Sequence, residues 1–178
     1  YVPAADCWLF GDPDQVLAEA LGLMAPWVAV DRCAPGAVLD VDASKAGSFY
    51  QASRAASYLA LSPHPPLLPG AMLVIRAHCV EGLGSEAGFR AALEAHSPPW
   101  GALLSGPPPI GAGAQRAVIL ALVAQRYQLR VEGCVAPDAL EAVGIMATAS
   151  VSEPPATWLR VPHPMRRLPQ CVPSPATD

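Results

Sequence analysis

The residues best suited to chemistry in this chain lie between Asp40 and Arg54. An apolar stretch ends in Asp40 and Asp42, a loop of small residues follows, and Tyr50, Gln51 and Arg54 come next. This spacing predicts a strand, a loop and a helix whose first turns carry the last three side chains. A guanidinium holds a carboxylate through two parallel N–H bonds, and a helix N-terminus adds backbone amides and a positive dipole end. The segment therefore predicts a site for a carboxylate or a phosphate.

A second loop is expected to join this site. The most apolar strand pattern of the chain ends at His78 and runs into a loop that contains Glu81, Gly82 and Gly84. Ligands of open α/β sheets bind outside the carboxyl ends of the strands. If the two strands are neighbours, Glu81 and the amides of both glycines converge with Gln51 and Arg54 on one crevice.

Each of these features also has a simpler interpretation. Arg54 can form an ordinary surface ion pair with Asp40 or Asp42, an interaction that contributes little stability. The Gly-Leu-Gly segment can serve only to make a turn, and it does not match the dinucleotide-binding fingerprint. His78 is either a structural residue or a proton carrier. Cys79 is either a reactive thiol or, as we favour, a buried neutral cysteine.

Composition excludes several classes of protein. With 178 residues, of which 52% are hydrophobic, the chain is predicted to form one globular domain. A net charge of −4 and the lack of a basic run argue against a nucleic-acid partner. No apolar run reaches membrane-spanning length and no signal peptide pattern is visible, so we expect no membrane partner and a cytoplasmic location. The five cysteines are widely spaced, which predicts no metal site.

Strand and helix patterns alternate along the chain and predict an α/β fold, specifically a three-layer α/β/α sandwich with a mostly parallel sheet. The predicted strands are residues 7–10, 27–30, 38–41, 72–78, 129–135 and 145–149. The predicted helices are residues 13–24, 48–61, 86–95, 114–127, 137–143 and, as a short addition, 152–159. Proline clusters mark the connections. Residues 1–161 are expected to form the domain, and residues 162–178 a proline-rich, irregular tail.

The order of these motifs resembles the C-terminal domain of the nickel-dependent lactate racemase family. The resemblance spans residues 38–149 and rests on Asp42-x7-Tyr50-Gln51-x2-Arg54, on the run Ala-His-Cys-Val-Glu-Gly-Leu-Gly that ends at Gly84, and on the apolar helix at 117–122. In that family a helix begins with Tyr-Gln followed by a basic residue, and the next strand delivers a small-x-Cys-x-Glu-Gly-x-Gly loop.

The resemblance implies that Tyr50, Gln51 and Arg54 face a small 2-hydroxy acid across an interdomain cleft, with the loop from Glu81 to Gly84 beside them. The basic residue, commonly lysine in the family, is Arg54 in this sequence. Gln115 stands where some members carry an aromatic residue at the start of the late helix.

The resemblance also implies a missing half. In the family, the catalytic histidines, the nickel ligand and the lysine that binds the nickel-pincer nucleotide belong to an N-terminal domain, which has no counterpart in this sequence. We therefore assign no catalytic residue and no metal ligand. The chain alone is expected to bind no cofactor, the nickel-pincer nucleotide requires the N-terminal domain or a partner chain, and racemase or epimerase activity requires both halves.

Two other functions remain open from the sequence. The high content of alanine, proline and leucine with few charges fits a non-catalytic interaction module. The glycines at 82 and 84 fit, less well, a small domain that binds phosphate or a nucleotide, because no phosphate-reading lysine and no complete glycine motif accompany them.

Overall fold

Helices and parallel strands alternate in the computed structural model, which describes residues 6–96, 98–165 and 169–171. In chain order the elements are α1 (Pro13–Val28), β1 (Ala29–Val30), β2 (Ala34–Asp40), α2 (Phe49–Ala60), β3 (Leu67–Arg76), α3 (Ala87–Glu94), α4 (Ala102–Ser105), α5 (Ala114–Ala124), β4 (Gln128–Glu132), α6 (Pro137–Glu141), β5 (Met146–Thr148), β6 (Leu159–Pro162) and β7 (Gln170–Cys171).

The main sheet has five parallel strands in the order β5-β4-β3-β2-β6. Val38 of β2 is in register with Val74 of β3, which in turn is in register with Arg130 of β4. Helices flank the sheet, and this confirms the predicted α/β class. Because β2 and β3 are neighbours, the loops that follow them leave the same edge of the sheet side by side.

The helices between β2 and β5 cover one face of the sheet. These strands follow one another in space as they do in sequence, so right-handed crossovers bring their helices to the same side. The side chains of α2, α3 and α5 pack with the strand residues Leu39, Leu73 and Val131 in one buried cluster. On α2 the predicted inner face is confirmed, since Phe49, Ala52, Ala56 and Leu59 are fully buried.

The other face of the sheet is covered in part by irregular chain. Residues 152–155 and Trp158 line a small cavity on this face together with Val38 and Val74. The indole of Trp158 rests on Gly36 so closely that a Cβ built on this glycine would lie 2.5 Å from the ring. Glycine at this position lets the last connection approach the backbone of a central strand.

A charged network ties this connection to the strand ends. Glu132 is almost fully buried, and its carboxylate accepts hydrogen bonds from the backbone N–H of Ser152 at 3.2 Å and from the Ser152 hydroxyl at 2.6 Å. The Arg76 guanidinium lies 3.6 Å from Glu132 and 3.4 Å from Asp40. The carboxyl ends of β2, β3 and β4 are therefore held together by side chains as well as by the ladder.

The predicted helix at 152–159 is wrong. Residues 152–155 are irregular, the N–H of Trp158 donates to the Pro155 carbonyl in a turn, and β6 follows and pairs with β2. A helix here would have to begin on two consecutive prolines at 154 and 155, and the segment instead meets the edge of the sheet. Pro162 ends an edge strand, where the missing N–H leaves no ladder bond unmade.

The N-terminal segment differs from its prediction in two ways. Residues 7–10 form no strand, and Cys7 makes only an isolated bridge. The helix α1 continues through Pro26 to Val28, so the strand predicted at 27–30 is reduced to β1. The start of α1 agrees with prediction, because the Asp12 carboxylate accepts from the N–H groups of Asp14 and Gln15.

The predicted irregular tail at 162–178 falls mostly outside the described residues, which include only 162–165 and 169–171 of it. Within these, Pro162 belongs to β6, and Gln170–Cys171 pairs with Ala29–Val30 in a separate two-stranded sheet. The boundary at residue 161 stays a prediction. Among the described residues, no helix has both the length and the apolar character needed to cross a bilayer.

Replacing Gly36 with alanine tests how the irregular connection is held. The added methyl group would force the Trp158 indole off β2, and we expect the free energy of unfolding to fall by about 1 to 3 kcal/mol. Urea denaturation followed by far-UV circular dichroism measures this change.

The matched control is Gly22→Ala in α1, where an added Cβ meets nothing within 4 Å. Its stability should stay unchanged or rise by up to about 1 kcal/mol. Equal stability of the Gly36→Ala variant and the wild type would contradict the close packing of Trp158 on β2.

Candidate functional site

The two loops predicted to share a crevice are joined along their length by backbone hydrogen bonds. The N–H groups of Cys79 and Glu81 donate to the carbonyls of Ala46 and Gly47 at 2.8 and 3.0 Å. In the other direction, the first two residues of α2 donate to the second loop: Phe49 N–H to Gly82 at 2.9 Å, and Tyr50 N–H to Leu83 at 3.1 Å. The start of α2 is thereby fixed against the loop after β3.

These bonds change the expected role of the backbone. The N–H groups of Phe49 and Tyr50 are already used, and that of Gln51 points to the Ser48 hydroxyl at 3.5 Å. The amides of Gly82 and Gly84 donate to the carbonyls of Cys79 and Glu81 within the loop. This geometry argues against the glycine and helix amides as anion donors, because their hydrogen atoms are committed to the protein itself.

The glycines instead shape the loop. Gly82 and Gly84 have φ angles of +57° and +106°, which glycine adopts without the steric cost of a Cβ. At Gly84 a Cβ would come within 3.2 Å of the Cβ atoms of both Ser48 and Tyr50. The loop can lie against the start of α2 only with glycine at this position. A phosphate-binding loop needs free amides, so the structure gives no support to the nucleotide-binding alternative.

The side chains of Tyr50, Gln51 and Arg54 lie on one flank of α2. The Tyr50 ring is buried edge-on against Phe89, with ring centroids 5.3 Å apart. The Arg54 guanidinium carbon lies 5.6 Å from the Tyr50 ring centre, within cation–π range. The aromatic ring therefore forms one wall against which the guanidinium is held.

Two buried polar atoms on this flank lack a partner. Nε of Arg54 and Oε1 of Gln51 are both shielded from solvent and make no hydrogen bond. Such an atom costs about 1 to 3 kcal/mol when it stays unsatisfied. One of the two groups is a donor and the other an acceptor, three residues apart on the same helix, so together they suit a ligand that offers both functions.

The surface ion pair considered for Arg54 is not formed. Asp40 pairs with Arg76, and Asp42 contacts Nδ1 of His163. Among the described residues, no carboxylate lies within ion-pair distance of Arg54. The guanidinium is therefore available to an external anion.

The other side chains predicted to bind substrate are those of Glu81 and Gln115. Glu81 is exposed, and its backbone ties the loop to Gly47. Gln115 is exposed on the first turn of α5 and makes no hydrogen bond with Tyr50, Gln51 or Arg54. Its role as a substrate contact stays a prediction.

Sequence reasoning missed Arg116, the neighbour of Gln115. Arg116 is buried, and its guanidinium donates to the Ser57 hydroxyl on α2 at 2.7 Å. Burial lowers the pKa of Arg116, and the positive charge of Arg54 lowers it further. The signal was present in the sequence, because Arg116 shares the buried stripe of α5 with Leu120 and Val123, where an arginine is unusual.

His78 and Cys79 lie just beyond β3. The ring atom Nδ1 of His78 is buried and has no hydrogen-bond partner. The backbone carbonyl of His78 accepts a hydrogen bond from the N–H of Val135 at 2.7 Å. Cys79 is fully buried with a φ of +42°, and its thiol lies beside that of Cys134. Burial, together with Cys134, raises the pKa of Cys79 to about 12, which favours the neutral structural cysteine over the reactive thiol.

Within the described ranges, no group of three or more histidine, cysteine, aspartate or glutamate side chains is arranged to hold a metal ion. These side chains therefore do not fit a nickel site, and no reaction step is derived through nickel for this chain.

Comparison with known proteins gives the class of fold. The chain is similar in structure to the lactate racemase apoprotein from Thermoanaerobacterium thermosaccharolyticum, with a TM-score of 0.60 and 14% sequence identity over 79% of this chain. It is also similar to a structural genomics target from Thermotoga maritima, with a TM-score of 0.53 and 12% identity over 83% of this chain. No protein-family model and no curated protein sequence matches the chain.

The protein thus has the fold of one part of lactate racemase. It spans 34% of the racemase chain and 40% of the Thermotoga maritima chain. The predicted resemblance to a partial, lactate-racemase-like domain is confirmed at the level of the fold.

Alkylation with iodoacetamide at about pH 8 tests the state of Cys79. A thiol whose pKa is raised to about 12 holds almost no thiolate at this pH, so we expect Cys79 to stay unmodified in the folded chain. The partly exposed Cys7 is the internal control and should react. Mass spectrometry of proteolytic peptides reads out both sites.

In denaturant both cysteines should react equally. Labelling of Cys79 at the rate of Cys7 in the folded chain would contradict its assignment as a buried neutral group. A second prediction concerns pH. The pKa of Cys79 in the folded chain lies above that of a cysteine in the unfolded chain, so raising the pH toward 12 deprotonates the unfolded chain first. The free energy of unfolding therefore falls as the pH rises. A Cys79→Ala variant should lose this part of the alkaline destabilisation.

Proposed function

We propose that this chain is the substrate-side domain of a lactate-racemase-like protein, which binds the carboxylate of a small 2-hydroxy acid with Arg54. A catalytic domain, on the same polypeptide or on a partner chain, completes the cleft. The fold likeness to part of lactate racemase supports this assignment, as does the order of the motifs around Tyr50 and Glu81.

The observation that carries the proposal is the pair of unsatisfied atoms on α2. The Arg54 Nε–H is a donor without an acceptor, and Gln51 Oε1 is an acceptor without a donor. A 2-hydroxy acid offers the complementary groups on adjacent carbons, because its carboxylate accepts and its hydroxyl donates. Both atoms are shielded in the free chain, so the side chains of this flank must move apart to admit the ligand. Binding would then satisfy both atoms at once, and the bond from Arg54 is strengthened by charge.

Tyr50 has a positioning role in this proposal. Its ring is fixed by the edge-on contact with Phe89, and it supports the guanidinium of Arg54 from one side. A long arginine side chain loses rotamer freedom when it binds, and a wall that already restricts it reduces that loss.

The proposal assigns no proton or hydride transfer to this chain. Inverting the configuration at C2 requires the hydrogen on that carbon to be removed and then returned to the opposite face. We leave these groups, and the nickel-pincer nucleotide, to the partner domain, so the chain alone is expected to bind but not to racemise. A cytoplasmic location remains part of the same proposal.

Titration with lactate, followed by ¹H–¹⁵N NMR, tests the proposal. Lactate at millimolar concentration should shift the backbone resonances of residues 50–54 and the side-chain amide of Gln51. Arg54→Gln should weaken binding by at least about tenfold, because it removes a charge-assisted hydrogen bond. The matched control is Arg90→Gln on α3, since Arg90 is exposed and, within the described part of the chain, pairs with Glu94 alone.

Unchanged spectra of the folded wild type at saturating lactate would contradict the proposal. So would equal losses in the Arg54→Gln and Arg90→Gln variants, because these would indicate a general effect of charge.

One observation favours the second candidate, a non-catalytic interaction module. No described side chain of α1 is buried, and Leu17 and Leu21 of this helix are 58% and 60% exposed. Trp8 and Phe10, just before it, are also exposed. Apolar surface of this kind is typical of a segment that packs against another protein surface.

Sedimentation velocity over a range of concentrations tests this second candidate. Self-association that Leu17→Glu or Leu21→Glu abolishes would support an interaction role for α1. The control is Glu19→Gln on the same helix. A monomer at every concentration, with no change in any variant, would count against self-association through α1.

A further inference from the structure

A second arginine lies beside the proposed carboxylate site. Arg116 on α5 faces α2, close enough to Arg54 that the charge of one disfavours the charge of the other. Neither guanidinium has a carboxylate within ion-pair distance among the described residues. Because neither guanidinium has a counter-ion among the described residues, the two positive charges repel each other in the free protein, and this repulsion is unfavourable.

Arg116 is held in position by a relay of hydrogen bonds. The Ser57 hydroxyl donates to the Arg54 carbonyl at 3.0 Å and accepts from Arg116 at 2.7 Å. The relay links the two arginines through α2 and uses one N–H of Arg116. The other N–H groups of this guanidinium make no hydrogen bond with any described residue.

The guanidinium of Arg116 also lines an open groove. The groove has a volume of about 410 Å³ and lies between α2 and α5, with Ser57, Tyr58 and Ser62 on one side and Ile119 on the other. Its walls combine a few hydroxyl groups with apolar side chains, and Arg116 supplies its positive charge. Such a groove suits a short carbon chain that ends in an anionic group.

We propose that the substrate is a 2-hydroxy acid with a second anionic group, which Arg116 binds in the groove between α2 and α5. This inference rests on the proposed function, since Arg54 takes the first carboxylate. The second anion neutralises the repulsion between the two arginines and gives acceptors to the remaining N–H groups of Arg116. A 2-hydroxy dicarboxylate such as malate has this chemistry, and lactate lacks the second group.

A comparison of malate with lactate tests the inference on the 178-residue chain, with ¹H–¹⁵N NMR titration as the readout. We expect malate to bind about tenfold more tightly than lactate, because it adds a charge-assisted hydrogen bond. Arg116→Gln should reduce malate affinity to about the level of lactate, whereas lactate affinity should fall much less, because lactate has no second anion for Arg116 to bind. Arg126→Gln, an exposed substitution beyond the end of α5, is the control for net charge.

A second variant leaves the buried arginine intact. Tyr58 is exposed at the groove, and Tyr58→Glu places a carboxylate where the second anion would bind. It should weaken malate binding by about tenfold and leave lactate binding nearly unchanged. The matched control is Gln125→Glu, which adds the same charge at an exposed position outside the groove.

The possible outcomes separate the two proposals. Equal affinities for malate and lactate, or malate binding that survives both Arg116→Gln and Tyr58→Glu, would overturn the inference and leave the proposed function standing. If neither ligand binds, both proposals are overturned, and if lactate binds but malate does not, only the inference is overturned. A malate preference that both variants abolish would support the second anion site.

Discussion

The backbone hydrogen bonds between the loop after β2 and the loop after β3 determine most of what this protein can bind. They fix the first turn of α2, and they do so with the same N–H groups that an anion would otherwise use. A helix N-terminus is usually a ready anion site, but this one is closed by the protein itself. In the proposed site, recognition therefore falls to Gln51 and Arg54, in the first and second turns of α2. The selectivity of that site would depend on guanidinium and amide geometry and not on the helix dipole.

Much of the fold was predictable, because it follows from periodicity. The apolar residues of α2 recur at helical spacing, which predicts a helix with one face in the core. The residues of that face are buried: Phe49, Ala52, Ala56 and Leu59. The alternation of strand and helix patterns predicted a mostly parallel sheet, and the parallel pairing of β3 with β4 agrees with it. The position of the candidate site followed in turn, since adjacent parallel strands deliver their loops to the same edge.

The features that were not predicted depend on long-range contacts. β6 is only four residues long, and it pairs with β2, more than a hundred residues away in the sequence. The hydrophobic pattern of so short a segment does not predict a strand. The use of the Gly82 and Gly84 amides depends on the turn geometry of the loop. Arg116 was not singled out from the other polar residues of α5, although its position in the apolar stripe of that helix indicated a buried arginine.

The last strand has a consequence for how the chain folds during synthesis. β2 is made early, but its outer edge has no neighbour until β6 crosses from the far side of the sheet. A ribosome-bound nascent chain would therefore display an unpaired strand edge until residues 159–162 have been made, and such edges readily pair with other chains. The charged residue Asp40, at the end of β2, gives that edge some protection until β6 pairs with it.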